Sequence, residues 1–460
     1  MNGTRNSKKI PLGTLGARMD ESKTIDHSTP KLSTFGAGSV GAAIMTLAKG
    51  TLGAGILALP MKTMFSGVPL FLVLLAVSGY FTACSVEMIA KGAQKTGKFV
   101  FEEITESLLG RKMAIVLGIS MLLNCYGASI VFVIAIKDAF GALLVGTSSS
   151  EADWSVYATL IVGGAILVPL SILEKLNSLR ILSLAGVLGV FFTVGSVVYA
   201  LAYLGVSESF TTPPHTSVIE SLMVPTGHFM EIMTVISTVT FAFCNQFNVP
   251  QMYGELKHKR ASSVRVIAYV STLLPLILYV ATALCGYLCY GFDIKENIFQ
   301  NFSYLVEQGK ILIWIGIAAV VLSVSLCHLL NNFPMRLSVI FFLPERFHEN
   351  KWIRYSVPLF TSISTVGIAL GYANLSAFLG LVGASTGSII CYIVPALFSM
   401  KVDALESGIA VDAHKQTSVF SQIWYRMKRN PVESLMIIMG IVIGIVGTFS
   451  EFYLCFKPKN

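Results

Sequence analysis

The chain has 460 residues, of which 54% are hydrophobic and only 13% charged, and its mean hydropathy is +0.71. A soluble domain carries roughly 25% charged residues, so half that fraction leaves too little polar surface for water and puts most of the outer surface against lipid. The net charge of +8 does not point to nucleic acid, because Lys and Arg gather in the loops of one side, as membrane insertion requires.

Residues 1–35 are polar and basic with no apolar h-region, which reads as a disordered cytosolic tail and not as a cleaved signal peptide. Eleven apolar stretches follow, each long enough to cross roughly 30 Å of hydrocarbon at about 1.5 Å per residue. The first five lie near Gly36–Met64, Val68–Ala90, Met113–Ile136, Trp154–Leu173 and Ile181–Leu204. The other six lie near His228–Tyr253, Val266–Tyr290, Ile311–Pro334, Ile353–Tyr372, Leu375–Met400 and Val432–Phe456. With the N-terminus cytosolic, the inside segments hold 26 Lys and Arg against 6 outside, which sets the orientation. Between the second and third stretches, Gly97–Gly110 reads either as a short interfacial helix or as a solvated loop. All eight cysteines fall in apolar runs. They read as small packing residues, with neither a disulfide framework nor metal-ligand spacing, so no metal and no cofactor is expected.

Two familiar patterns mislead. Gly36-Ala-Gly38-Ser-Val-Gly41 fits a dinucleotide fingerprint but opens an apolar span with no strand before it. Gly92 to Lys98 resembles a phosphate loop, yet Phe99 stands where Ser or Thr must hold magnesium. The first span is more informative. It reads Lys49-Gly50-Thr51-Leu52-Gly53-Ala54-Gly55-Ile56-Leu57-Ala58-Leu59-Pro60, with three glycines in six residues. Each glycine weakens a helix by about 1 kcal/mol, and unpaired backbone at membrane depth is tolerated only where it lines a cavity or is buried in protein. Taken alone, the glycines fit a close helix–helix contact equally well. Five spans later, Phe241-Ala242-Phe243-Cys244-Asn245-Gln246-Phe247-Asn248-Val249-Pro250 forms a second polar interruption. Breaks at matching positions of two halves that enter from opposite sides are the pattern of an inverted-repeat transporter.

The ordered set of motifs resembles the amino acid/auxin permease family, its protozoan members most of all. Lys49–Pro60 is similar to that family's first-span signature, Pro169-Leu170-Ser171 with Leu176-Asn177-Ser178-Leu179 to its fourth-to-fifth turn, and Phe241 through Glu255 to its sixth-span signature. Gly286-Tyr287 to Gly291-Phe292 and Gly380 to Pro395 follow in order. The resemblance implies an all-α integral membrane fold of two inverted five-span repeats of the leucine-transporter type, about residues 36–204 and 226–400. An eleventh helix at about 432–456 completes a transporter domain of residues 36–458. It also implies an amino-acid substrate whose carboxylate meets the backbone at Thr51, Leu52, Gly53, Ala54 and Gly55. There a half-helix N-terminus offers free N–H groups and a positive dipole end. The ammonium would meet carbonyls at Phe241, Ala242 and Phe243. Side-chain walls would come from Asn124, Tyr126, Asn245, Gln246, Ser323 and Ser325, each of which fits interhelical hydrogen bonding as well.

Lys49 stands where sodium-coupled relatives of this fold carry an asparagine that helps to ligate sodium. An ammonium and a sodium ion repel each other in one small cavity, so sodium-independent transport, proton-driven or facilitative, is expected. Lys49 and the buried His328 are the candidate coupling residues. No Asp or Glu lies near the middle of spans one, three, six, eight or ten, which favours a neutral substrate, although carbonyls and aromatic faces also hold cationic side chains. An enzyme would need a reactive cluster and a channel a filter, and neither is present in the sequence. The alternative is an amino-acid-sensing receptor on the same fold, marked by a long structured tail or loop. The partners expected are an amino acid, membrane lipids and a coupling proton. The plasma membrane is the expected location rather than a vacuolar or lysosomal one. Of three sequons, Asn301-Phe302-Ser303 lies in a loop placed outside. In a glycosylating host, mass spectrometry should find a glycan on Asn301 alone, with Asn2 and Asn374 bare; a glycan on Asn2 would invert the topology.

Overall fold

A computed structural model describes residues 38–143, 151–171, 176–211, 218–344, 346, 350–371, 374–406 and 429–456. The tail expected over residues 1–35, with its sequon at Asn2, lies outside the described residues, as does most of the loop after Lys401. Among the described residues the chain is almost wholly helical. Eight helices are long and apolar enough to cross a membrane, and the bent pair Val40–Thr51 and Gly55–Ser66 makes up to nine. The shorter apolar helices Trp154–Ala165 and Tyr355–Gly371 fall where the fourth and ninth stretches were expected. Length and composition thus support nine of the eleven expected spans.

Both expected breaks are present. The first span bends by 57° between its two halves. Its first half is capped by Ser39, which accepts from the Ala42 N–H at 3.2 Å. We call the membrane face where this half begins the near face, and the opposite one the far face. The sixth span runs the other way. Phe229–Ala242 descends from the far face, a 3-10 turn at Gln246–Asn248 follows, and Val249–Glu255 completes the crossing with Pro250 in its first turn. Proline is tolerated there because a first-turn N–H has no helical partner to lose.

The eighth span packs along the third and fifth, and the seventh lies against the second, the fifth and both halves of the first. Two apolar clusters result. One holds Leu52 to Leu59 with Phe241 to Phe243 on the far side; the other holds Leu47, Phe81, Cys244 and Phe247 on the near side. Between them lies a buried polar layer of Lys49, Thr51, Asn124, Asn245, Gln246 and Asn331.

The segment Gly97–Gly110 contains a helix, Phe101–Leu109, with Phe101 and Ile104 buried. Glu102 on this helix is fully buried and accepts from the hydroxyl of Ser338 at the near end of the eighth span. Burial pushes its carboxyl up from 4.5 to about 7. The fold therefore binds this proton more tightly than the unfolded chain does. The stabilisation is complete below pH ~4.5 and fades as pH rises through ~7, roughly 3 kcal/mol in all. Thermal unfolding in detergent from pH 5 to 8 should show a falling Tm that flattens in Glu102→Gln; parallel curves for the two proteins would refute this.

Candidate functional site

The two breaks meet at the polar layer. A helix end leaves backbone carbonyls without helical partners, and at this depth they need donors from elsewhere. Side chains supply them. Asn245 donates to Leu47 O at 2.6 Å, and the Tyr279 hydroxyl lies 2.6 Å from Thr51 O and 2.8 Å from Ala242 O. Tyr279 on the seventh span is fully buried, so one hydroxyl ties the ends of both half-helices.

Lys49 completes the set. Its Nζ donates to Leu52 O at 2.9 Å, Ser323 Oγ at 2.7 Å and Cys327 Sγ at 2.9 Å. Ser323 in turn donates to Gly186 O at 3.1 Å. Three acceptors match the three protons of an ammonium. The fifth span makes room for the chain at Gly186, where a Cβ would come within 2.4 Å of Lys49 Cε. The lysine thus fills the space between the first, fifth and eighth spans.

On the other side of the break, Gly55–Ser66 starts with no side-chain cap. Its first N–H groups have no acceptor within their own helix, and they carry the positive end of its dipole. Leu57 N–H turns back to Ala54 O at 3.1 Å, and Gly55 at this end lines a small cavity with Gly50, Thr51 and Gly53 of the first span and Asn124, Ala128 and Phe132 of the third. Phe241, Ala242, Cys244, Phe247 and Asn248 of the sixth span and Cys327, Leu330 and Asn331 of the eighth close it. About 30 Å³ is open to water, room for roughly two water molecules. An amino acid fits only once these walls part.

Of the residues singled out from sequence, Thr51, Gly53, Gly55, Asn124, Phe241 and Ala242 line this cavity. Leu52, Ala54 and Phe243 belong to the breaks without lining it, and Phe243 packs edge-on against Tyr279. Asn245 and Gln246 brace the sixth-span break instead. The Gln246 amide accepts from Asn245 N–H at 2.8 Å and donates to Ser85 Oγ at 3.1 Å. Tyr126 reaches Ser364 at 3.0 Å, Ser325 bonds Val321 O within its own helix at 2.7 Å, and His328 meets Ser362 at 3.1 Å. These three point away from the cavity. Asn301 sits on a turn, its amide accepting from Lys295 N–H at 2.9 Å and donating to Asp293 O at 3.0 Å.

Tyr279, Cys327, Asn331 and Phe132 were not expected. Asn331 donates to Cys125 O and to Ser129 Oγ, bracing the third span against the eighth. The glycines also act differently from a turn. None of Gly50, Gly53 and Gly55 adopts a positive φ. A Cβ on Gly55 would lie 3.0 Å from Ala242 Cβ, and one on Gly53 3.1 Å from the Phe132 ring. Close approach, not left-handed backbone, requires them.

The profile of the family described as "Transmembrane amino acid transporter protein" matches residues 36–428. The chain belongs to this family. This transmembrane amino acid transporter is 25% identical over 390 residues to the sodium-coupled neutral amino acid symporter 2 of Danio rerio, across 81% of this chain and 77% of that one. It is 26% identical over 419 residues to amino acid transporter AVT6E of Arabidopsis thaliana, across 84% and 78% of the two chains. With vacuolar amino acid transporter 6 of Saccharomyces cerevisiae it shares 24% over 380 residues, across 71% and 82%. In structure it is similar to MhsT in complex with L-phenylalanine, with a TM-score of 0.57 at 13% identity over 88% of this chain and 98% of that one. That likeness shows the fold, of the leucine-transporter type. The transporter is an integral membrane protein and not an enzyme. In this transporter the free space at Gly53 is part of the cavity itself. Gly53→Val should reduce amino-acid uptake by about tenfold or more while surface expression stays near wild type, because its methyl groups press on Phe132 or fill the cavity. Normal uptake by this variant would detach the cavity from transport.

Proposed function

We propose that this transporter carries amino acids, neutral ones foremost, across a membrane by alternating access and without sodium. The observation that supports this most is the ammonium of Lys49, held by Leu52 O, Ser323 and Cys327 between the first and eighth spans. A fixed cation there repels a second one, while two of the acceptors it engages, Leu52 O and Ser323 Oγ, are oxygens of the kind a sodium ion would use. Transport is then driven by protons or runs as facilitated diffusion. The substrate carboxylate meets the free N–H groups at the start of Gly55–Ser66, and the ammonium meets carbonyls of the sixth-span break near Phe241. The residues lining the cavity carry no charged side chain, which favours a neutral substrate over a cationic one. The near face is the cytosolic one, by the excess of Lys and Arg there, and the plasma membrane is the site of action. Two repeats, about 36–204 and 226–400, move around the breaks, with the helix at 432–456 appended to them.

Uptake of a labelled mixture of neutral L-amino acids, with choline replacing sodium, tests the reading directly. Uptake should stay within about twofold of its value in sodium, since no sodium site is left to fill. Loss of most activity in choline would sink the proposal, and an excess of unlabelled arginine that competes as well as unlabelled neutral amino acids would overturn the substrate class.

A further inference from the structure

Two ionisable side chains lie buried on the far side of the breaks, outside the cavity and without an ion-pair partner in contact among the described residues. Glu451 belongs to Thr448–Phe456 of the last span, beyond the residues matched by the family profile, and is 4% exposed. Lys62 belongs to the far half of the first span and is 3% exposed. Counted by sequence among the loop charges, Lys62 lies about two turns past Gly55, so roughly 10 Å from the break.

Neither is satisfied. Glu451 Oε1 has no hydrogen-bond partner. The carboxyl lies over Gly380 of the tenth span, where any Cβ would overlap it. Lys62 Nζ donates to Thr234 Oγ1 of the sixth span at 3.0 Å and lies 5.8 Å from the centre of the Phe65 ring. Two of its three protons have no acceptor among the described residues. The two groups form no ion pair within contact distance, yet both lie against one stretch of the sixth span: Ser450, next to Glu451, donates to Met230 Sδ at 3.2 Å, one turn from the Thr234 that holds Lys62. Glu451 leads the charged groups acting on Lys62, followed by Glu296 and Glu231. Glu231 is engaged by the His228 backbone N–H at 2.7 Å, and Glu296 by Asn374 at 3.1 Å.

A structural ion pair would be closed, because an unpaired charge at this depth is costly. Here the carboxyl is mounted on the last span, against the tenth and the far half of the sixth. The amine is mounted on the half of the first span that bends at the substrate cavity. Displacement of that half changes the separation of the two groups. Close together, they share charge as carboxylate and ammonium; apart, the carboxyl is cheapest when it holds a proton.

We propose that Glu451 and Lys62 form a proton-binding site that couples amino-acid transport to a pH gradient: Glu451 takes a proton from the far face as the first span's far half carries Lys62 away, and releases it when Lys62 returns. No bond to carbon changes; one proton passes between water and one carboxylate oxygen. The proposal rests on the reading of this chain as an amino-acid transporter and deepens it, for it assigns the proton to this site and leaves Lys49 as fixed charge.

The full-length protein in liposomes tests it with two readouts, using a labelled mixture of neutral L-amino acids. One is exchange of internal for external amino acid with no gradient; the other is accumulation under a gradient acidic on the far face. Wild type should show both. Glu451→Gln should keep measurable exchange and lose accumulation by about fivefold or more, and Glu451→Asp should recover part of it. Should the glutamine variant not fold, Lys62→Met is read by the same pair, with the same expected loss of accumulation and retained exchange. Accumulation at wild-type level in either variant would overturn the site. Exchange without accumulation in the wild type would overturn proton coupling and leave amino-acid transport standing, whereas no exchange in the wild type would overturn the transport reading itself.

Discussion

A helix broken inside a membrane strands backbone groups where water cannot pair them, and most of this site's architecture answers that constraint. At the C-terminal ends of the two half-helices the carbonyls of Leu47, Thr51, Leu52 and Ala242 receive donors from Asn245, Tyr279 and Lys49. The sixth and seventh spans and the first span's own lysine, itself gripped by the eighth, are thereby bound to one level of the membrane. At the N-terminal end of the far half-helix no side chain closes the N–H groups. The negative ends are capped from within and the positive end is left open. An open helix N-terminus favours an anion, and an amino acid carries one on its carboxylate.

The same constraint explains the small residues. Pairing at one level demands that backbones approach, so Gly55 lies against Ala242 and Gly50 against Asn245. Gly186 gives way to the Lys49 stem in the same manner. The close-contact reading of the glycines and the binding-site reading therefore describe one arrangement. Helices that touch at their breaks also enclose the cavity, and its ≈ 30 Å³ of open space is the space left once those contacts are made.

The spans, the two breaks and much of the cavity wall were legible because each has a local signature: apolar length, clustered glycines, or a polar run containing proline. Thr51, Gly53, Asn124 and Phe241 could be found that way. Tyr279 could not, since one hydroxyl in an apolar helix carries no local signal of the two carbonyls it joins. Cys327 and Asn331 were hidden for the same reason, and Asn331 reads as one polar residue near the end of a span. Asn245, Gln246, Tyr126, Ser325 and His328 are the opposite case, for they do not line the cavity. A polar side chain in lipid must find a partner, and these find one in a neighbouring helix or in their own, with only His328 Nδ1 among them left unpaired. The fourth and ninth stretches are helical over 151–171 and Lys351–Gly371, each about the length of a span.

The two buried lysines of the first span show what placement does to a charge. Lys49, just before the break, has three acceptors contributed by its own strand of backbone and by the eighth span. Moving it would break three hydrogen bonds at once, so its amine is tied to the frame. Lys62, past the break, has one hydroxyl for a partner and a carboxyl nearby that is itself unpaired. Fewer hydrogen bonds hold it than hold Lys49, and its half-helix is joined along the chain to the rest of the span only through the bend at Leu52–Ala54. A fixed charge can replace a cation that would otherwise have to be bound, whereas a charge that changes its distance from a carboxyl changes that group's ionisation. On the proposed reading, one broken helix dispenses with a metal ion on one side of its break and responds to a proton on the other, and the break that opens the cavity is what separates the two tasks.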